Sequence, residues 1–130
     1  MLDNYAAIYG GAIFANGFRS LSVTRGSNFQ DNLASQSGDD FYLSNTVTTF
    51  LLQDTSIVNP QAANSLYAQQ VTLVVERVTF SNIKYAPASV VGAAIYCFGC
   101  RGIDIRRSTF RKLKSEQGGA IHIVDFPTNK

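Results

Sequence analysis

The chain repeats itself, and that constrains its fold more than any other feature it has. Gly10-Gly11-Ala12-Ile13 returns as Gly92-Ala93-Ala94-Ile95 and again as Gly118-Gly119-Ala120-Ile121. Asp3-Asn4-Tyr5-Ala6 with Gly10 recurs as Asp31-Asn32-Leu33-Ala34 with Gly38, offset by 28 at every matched position. A second unit reads apolar, any residue, apolar, four residues, large apolar. It occurs at Phe50, Leu52, Ile57, at Leu73, Val75, Phe80 and at Ile103, Ile105, Phe110. A looser copy with one extra residue is Leu21, Val23, Phe29. Aligned, the repeats give a column of Ile13, Phe41, Leu66, Ile95 and Ile121, at intervals of 28, 25, 29 and 26. Such uneven spacing suits coils whose turns tolerate insertion.

Each period holds short alternating runs rich in Val, Ile, Phe and Thr, separated by Gly, Ser and Asn, which is the pattern of strands and turns. No window has sustained helical spacing. Three short strands and three turns use up about 27 residues, and each strand then pairs in parallel with its equivalent one coil on. The reading is an all-β solenoid, a parallel β-helix of four to five coils. A β-sandwich also has closely spaced strands, but it needs no motif returning in register. With 130 residues, the chain forms one segment and lacks the length for two cores. Both ends fall inside a coil, so residues 1–130 are expected to belong to a longer solenoid.

Charged residues are 15% of the chain and the net charge is +2, against a usual charged share of about 25%. Nothing in that balance calls for nucleic acid. No apolar run approaches the roughly 20 residues of a membrane span, and Met1-Leu2-Asp3-Asn4 lacks a signal-peptide layout. Two Cys and one His exclude a structural zinc site built from this chain alone.

Gly-Gly-Ala-Ile followed by Phe-x-x-Asn resembles the repeat of the chlamydial polymorphic outer membrane proteins. It is also similar to the large secreted surface proteins of protists, right-handed parallel β-helices of the pectate-lyase-like type. Gly10-Gly11-Ala12-Ile13, Gly118-Gly119-Ala120-Ile121 and Phe29-Gln30-Asp31-Asn32 match as they stand. Gly38-Asp39-Asp40-Phe41 and Asn64-Ser65-Leu66 depart from the pattern, and Phe80-Ser81-Asn82 is one residue short. The resemblance implies a right-handed coil and an extracellular or cell-surface location. Its motifs are architectural and carry no catalytic residue. Cys97-Phe98-Gly99-Cys100 lies at a turn, where a buried thiol at Cys97 and a local Cys97–Cys100 disulfide both fit. The disulfide suits the extracellular setting that the resemblance implies.

Strand alternation then sorts side chains. The Ile13 column and the column two residues on (Ala15, Leu43, Ala68, Cys97, Ile123) point inward. Between them Phe14, Tyr42, Tyr67, Tyr96 and His122 point outward, an aromatic stripe roughly 20 Å long at about 4.8 Å per coil. Such a stripe serves as a surface for a partner protein or a glycan, or simply fills parallel strands. On the second strand Glu76 and Arg106, and Asp54 and Arg77, are placed as neighbouring opposite charges of modest value. Arg101, Arg106, Arg107, Arg111, Lys112 and Lys114 crowd one coil, with Asp104 to balance them. Residues 1–70 sum to −3 and residues 71–130 to +5, which favours head-to-tail contact between units.

Polysaccharide lyases and hydrolases also use β-helices, with clustered carboxylates on one face. Asp39-Asp40 is the one acidic doublet, and adjacent strand residues point to opposite sides, so a carboxylate pair is not expected there. His122 has no carboxylate or Cys in register. The sequence therefore predicts no enzyme, no cofactor and no metal. It predicts a structural or adhesive repeat segment of an extracellular, filamentous assembly. Its partners would be other coils or chains, met end to end and along the aromatic stripe. The competing reading is a carbohydrate-binding or polysaccharide-processing β-helix.

Overall fold

The computed structural model describes residues 4–6, 8–45, 49–58, 64–83, 94–114 and 119–125. Met1, Leu2, Asp3, Gly92, Ala93 and Gly118, named above, lie outside the described residues. The described residues form strands β1 to β13 in chain order, with no helix. One sheet holds β2 (Ile13–Asn16), β6 (Phe41–Ser44), β8 (Leu66–Gln69), β10 (Ile95–Phe98) and β13 (Ile121–Val124), each beside its sequence repeat. A second sheet holds β3 (Leu21–Val23), β4 (Asn28–Gln30), β7 (Thr49–Val58), β9 (Thr72–Ile83), β11 (Gly102–Arg106) and β12 (Thr109–Leu113). The third is the pair β1 (Tyr5–Ala6) and β5 (Leu33–Ala34). Every pairing is parallel.

The chain is thus a parallel β-solenoid, and its register follows the repeat residue for residue. Ile13 pairs with Phe41, Phe41 with Leu66, Leu66 with Ile95 and Ile95 with Ile121. Leu21, Phe50, Leu73 and Ile103 form the next column, and Phe29, Ile57, Phe80 and Phe110 another. About three turns stack as full coils, slightly fewer than the four to five expected. Phe41, Leu66 and Ile95 are fully buried, whereas Ile13 and Ile121, on the outer strands of the described sheet, are half-buried. Ile123, expected inward, is 55% exposed for the same reason, while Leu43, Ala68 and Cys97 in its column are fully buried.

The corners follow a rule that composition alone did not reveal. Each is a column of residues in the left-handed region. Asp54, Arg77 and Arg107 have φ of 50°, 51° and 49°, and there the long strands β7 and β9 bend, while β11 and β12 separate. The extra residue of the first coil is absorbed at the same corner, where Arg25 and Gly26 have φ of 60° and 74°. Gly17, Asn45, Gln70 and Gly99 make a second such column. The amide of each donates to a carbonyl of the next coil: Ser44, Gln69, Phe98 and Val124 in turn. Asp31, Asn82 and Lys112 make a third. Asn82 therefore corresponds to Asp31 and not to Asn32, which explains the motif that looked one residue short. Left-handed L-residues cost roughly 1–2 kcal/mol each, offset here by unbroken hydrogen bonding between coils.

Asp39 and Asp40 correct the expectation of opposite-facing strand residues. They precede β6 in a turn, where alternation does not apply, and both side chains are buried. Asp39 Oδ1 accepts the Ala34 amide at 2.8 Å. Asp40 accepts Asn32 Nδ2 at 2.7 Å and Ser65 Oγ at 2.8 Å. Asn32 in turn accepts Asn4 Nδ2 at 2.9 Å, and Asn64 Oδ1 accepts the Gly38 amide at 3.0 Å. Burial pushes the Asp40 carboxyl up to about 7, against the two hydrogen bonds, and the neighbouring Asp39 charge adds to the rise.

Candidate interaction surface

The aromatic stripe is built by the five-stranded sheet. Parallel pairing places Phe14 against Tyr42, Tyr42 against Tyr67, Tyr67 against Tyr96 and Tyr96 against His122. The rings stack nearly parallel, with centroids 5.2, 4.7, 5.2 and 5.5 Å apart and interplanar angles of 8°, 5°, 16° and 3°. Strand separation of about 4.8 Å sets this spacing, and identical side-chain parity sets the alignment. Aromatic pairs of this kind contribute roughly 0.5–1.5 kcal/mol beyond their burial.

Stacking changes what the stripe offers. The faces of Tyr42, Tyr67 and Tyr96 are each covered by a ring on either side, so their edges and hydroxyls point away from the sheet. These three side chains are half-buried, whereas Phe14 is 55% exposed. Burial, then the neighbouring phenols of Tyr42 and Tyr96, push the Tyr67 phenol up to about 12. Tyr42 is raised too, by burial and then by Tyr9. Tyr9 joins the stripe, its ring 4.5 Å from that of Tyr42. Sequence reasoning missed Tyr9 because it lies outside the strand, although its match to Ser37, one residue before Gly38, was legible from the repeat. The other outward column of the sheet is Asn16, Ser44, Gln69, Phe98 and Val124. The five strands therefore present no Asp, Glu, Lys or Arg.

Charges collect elsewhere. Arg77 grips Asp54 through Nε at 2.6 Å and Nη2 at 3.0 Å, and reaches Glu76 at 2.8 Å. That bond holds Asp54 below the usual carboxylate range. Glu76 and Arg106 are register partners, but Arg106 turns instead to Asp104, two residues back on its own strand. Glu76 is bonded by Gln53 and Arg77. The formal −3 of the first half is not a surface property: Asp39 and Asp40 are buried and Asp54 is paired.

Cys97 and Cys100 are joined as a disulfide across the turn at Gly99, with Cα atoms 5.8 Å apart. Cys97 is fully buried and Cys100 packs against the core. Among the described residues no group of three or more His, Cys, Asp or Glu is placed to hold a metal ion. Set against family models, curated proteins and solved structures, the chain matches none of them.

Proposed function

We propose that this chain is a non-catalytic structural and adhesive repeat segment of an extracellular or cell-surface assembly, with the aromatic stripe as its contact surface. The observation that carries the reading is the uncharged sheet face, five strands wide, bearing stacked rings in register. Desolvating such a face against a partner costs less than desolvating a charged one, and aromatic edges with hydroxyls suit protein interfaces. The resemblance to the polymorphic outer membrane protein repeat points the same way, toward a right-handed coil displayed outside a cell. The glycan-platform reading loses ground, because sugars stack on exposed ring faces and here neighbouring rings occupy those faces. Charge-directed head-to-tail assembly is likewise weaker than the sequence implied, since the acidic half is largely neutralised or internal.

Sedimentation velocity and surface-binding assays with the Tyr67→Thr/Tyr96→Thr variant test the proposal. Threonine keeps the strand and its parity while removing two rungs. Self-association or surface attachment is expected in the native chain and should fall at least tenfold in the variant. A native chain that stays monomeric and attaches to nothing, or a variant that attaches equally well, overturns the reading.

A further inference from the structure

The one strongly cationic face of the described residues is distinct from the aromatic stripe. Along β12 and its corner, Arg107, Arg111 and Lys112 are all exposed, and none has an ion-pair partner among the described residues. Their neighbours differ: Arg77 is committed to Asp54 and Glu76, and Arg106 to Asp104. Arg107 and Lys112 sit in left-handed corner positions and Arg111 lies outward between them. Four residues lie between the outer two, a span of five Cα steps and at most roughly 16 Å. The cations thus form a line across the solenoid axis.

The surface beside that line is hydroxyl- and amide-rich. Thr109, Thr79, Ser56 and Asn28 make one outward column, and Arg111, Ser81, Val58 and Gln30 the other. No acidic residue stands in either. Asp31, in the corner column bordering them, is three rungs from Lys112 and is bonded by Gln30 at 2.9 Å. The two columns contain no aromatic ring, so they lack the stacking platform that single-stranded nucleic acid uses. A line of cations bordered by hydroxyls and amides matches a polymer that carries both repeated anionic groups and hydroxyls.

We propose that this face binds an acidic polysaccharide, with Arg107, Arg111 and Lys112 contacting successive carboxylate or sulfate groups. The contact is independent of the aromatic stripe and stands or falls separately from it. Affinity electrophoresis of the chain through polygalacturonate and through heparin tests it, with dextran as neutral control and duplex DNA as competitor. Retardation is expected in at least one acidic polysaccharide and not in dextran. The Arg107→Asn/Arg111→Ser/Lys112→Asn variant should bind at least tenfold more weakly, with a salt dependence shallower by about two to three counterions. Asparagine is chosen at the two corners because it tolerates positive φ. Arg111→Glu alone, at an exposed position, should show the same loss if the triple variant fails to fold. Tyr67→Thr/Tyr96→Thr should bind acidic polysaccharide like the native chain. No retardation at low salt, unchanged binding by Arg111→Glu, or DNA held as tightly as the polysaccharide would each overturn the proposal.

Discussion

Two kinds of interior lie side by side in this solenoid. Under the five-stranded sheet, Phe41, Leu66 and Ile95 stack through successive coils, each fully buried. At the turn before that sheet, Asn32, Asp39, Asp40, Asn64 and Ser65 are buried just as completely, none more than 6% exposed. Among the described residues no buried side-chain polar atom lacks a partner. The apolar stack is held by an interaction without direction, so any large apolar residue serves and Phe, Leu and Ile alternate freely. The polar turn is held by paired donors and acceptors, so each member depends on the next. One interior tolerates substitution; the other tolerates only replacements that keep the bonding.

Removing a ring from the apolar stack should have the largest effect. Phe41→Ala deletes a fully buried side chain that contacts the rings of Phe29 and Phe50 and should cost about 3–5 kcal/mol by chemical denaturation. Ile13→Ala, at a half-buried outer rung, should cost less than half as much. Equal losses would mean that the described sheet does not weaken toward its edge.

The polar turn should respond next. Asp40→Ala removes the acceptor of the Asn32 Nδ2 and Ser65 Oγ bonds and should cost about 2–4 kcal/mol, since each buried hydrogen bond lost on one side costs about 1–3. Asp40→Asn retains the shape and should cost far less. The same pair sharpens the comparison through pH. The folded-state carboxyl sits near 7, above its ordinary 3.8, so the folded chain holds a proton that the unfolded chain releases. Its contribution is fully present below about 4 and is lost as pH rises to about 7, on the order of 1.4 kcal/mol per pH unit. Denaturation midpoints of the native chain minus those of Asp40→Asn should therefore decline across that window. A flat difference would mean that Asp40 titrates as an ordinary carboxylate.

Reducing the Cys97–Cys100 bond should cost about 2 kcal/mol, because so short a loop constrains the unfolded chain little. Arg77→Ala should do least, since Arg77 and its main partner Asp54 are both about 40% exposed, and its effect should fade as salt rises to about 0.5 M. An effect as large as that of Asp40→Ala would place the corner ion pair on a par with the buried turn.

The columns of the fold were legible in the sequence because parallel pairing of repeats makes spatial neighbours out of sequence equivalents. Ile13, Phe41, Leu66, Ile95 and Ile121 share a column, and Phe14, Tyr42, Tyr67, Tyr96 and His122 share a stripe, for one reason: period two within a strand and one coil between strands. Tertiary structure alone decided what lies off the strands. Left-handed corners accept Asp54, Arg77, Arg107 and Lys112 as well as Gly17 and Gly99, so no residue type announces them. Strand alternation would set Asp39 and Asp40 on opposite faces, but the turn buries both, Asp39 against the Ala34 amide and Asp40 against Asn32 and Ser65. Arg106 had two acids in reach, and side-chain geometry chose Asp104 over Glu76. Apolar burial repeats with the chain and can be counted along it. Hydrogen bonds and ion pairs depend on direction over a few ångströms, which only the folded coil fixes.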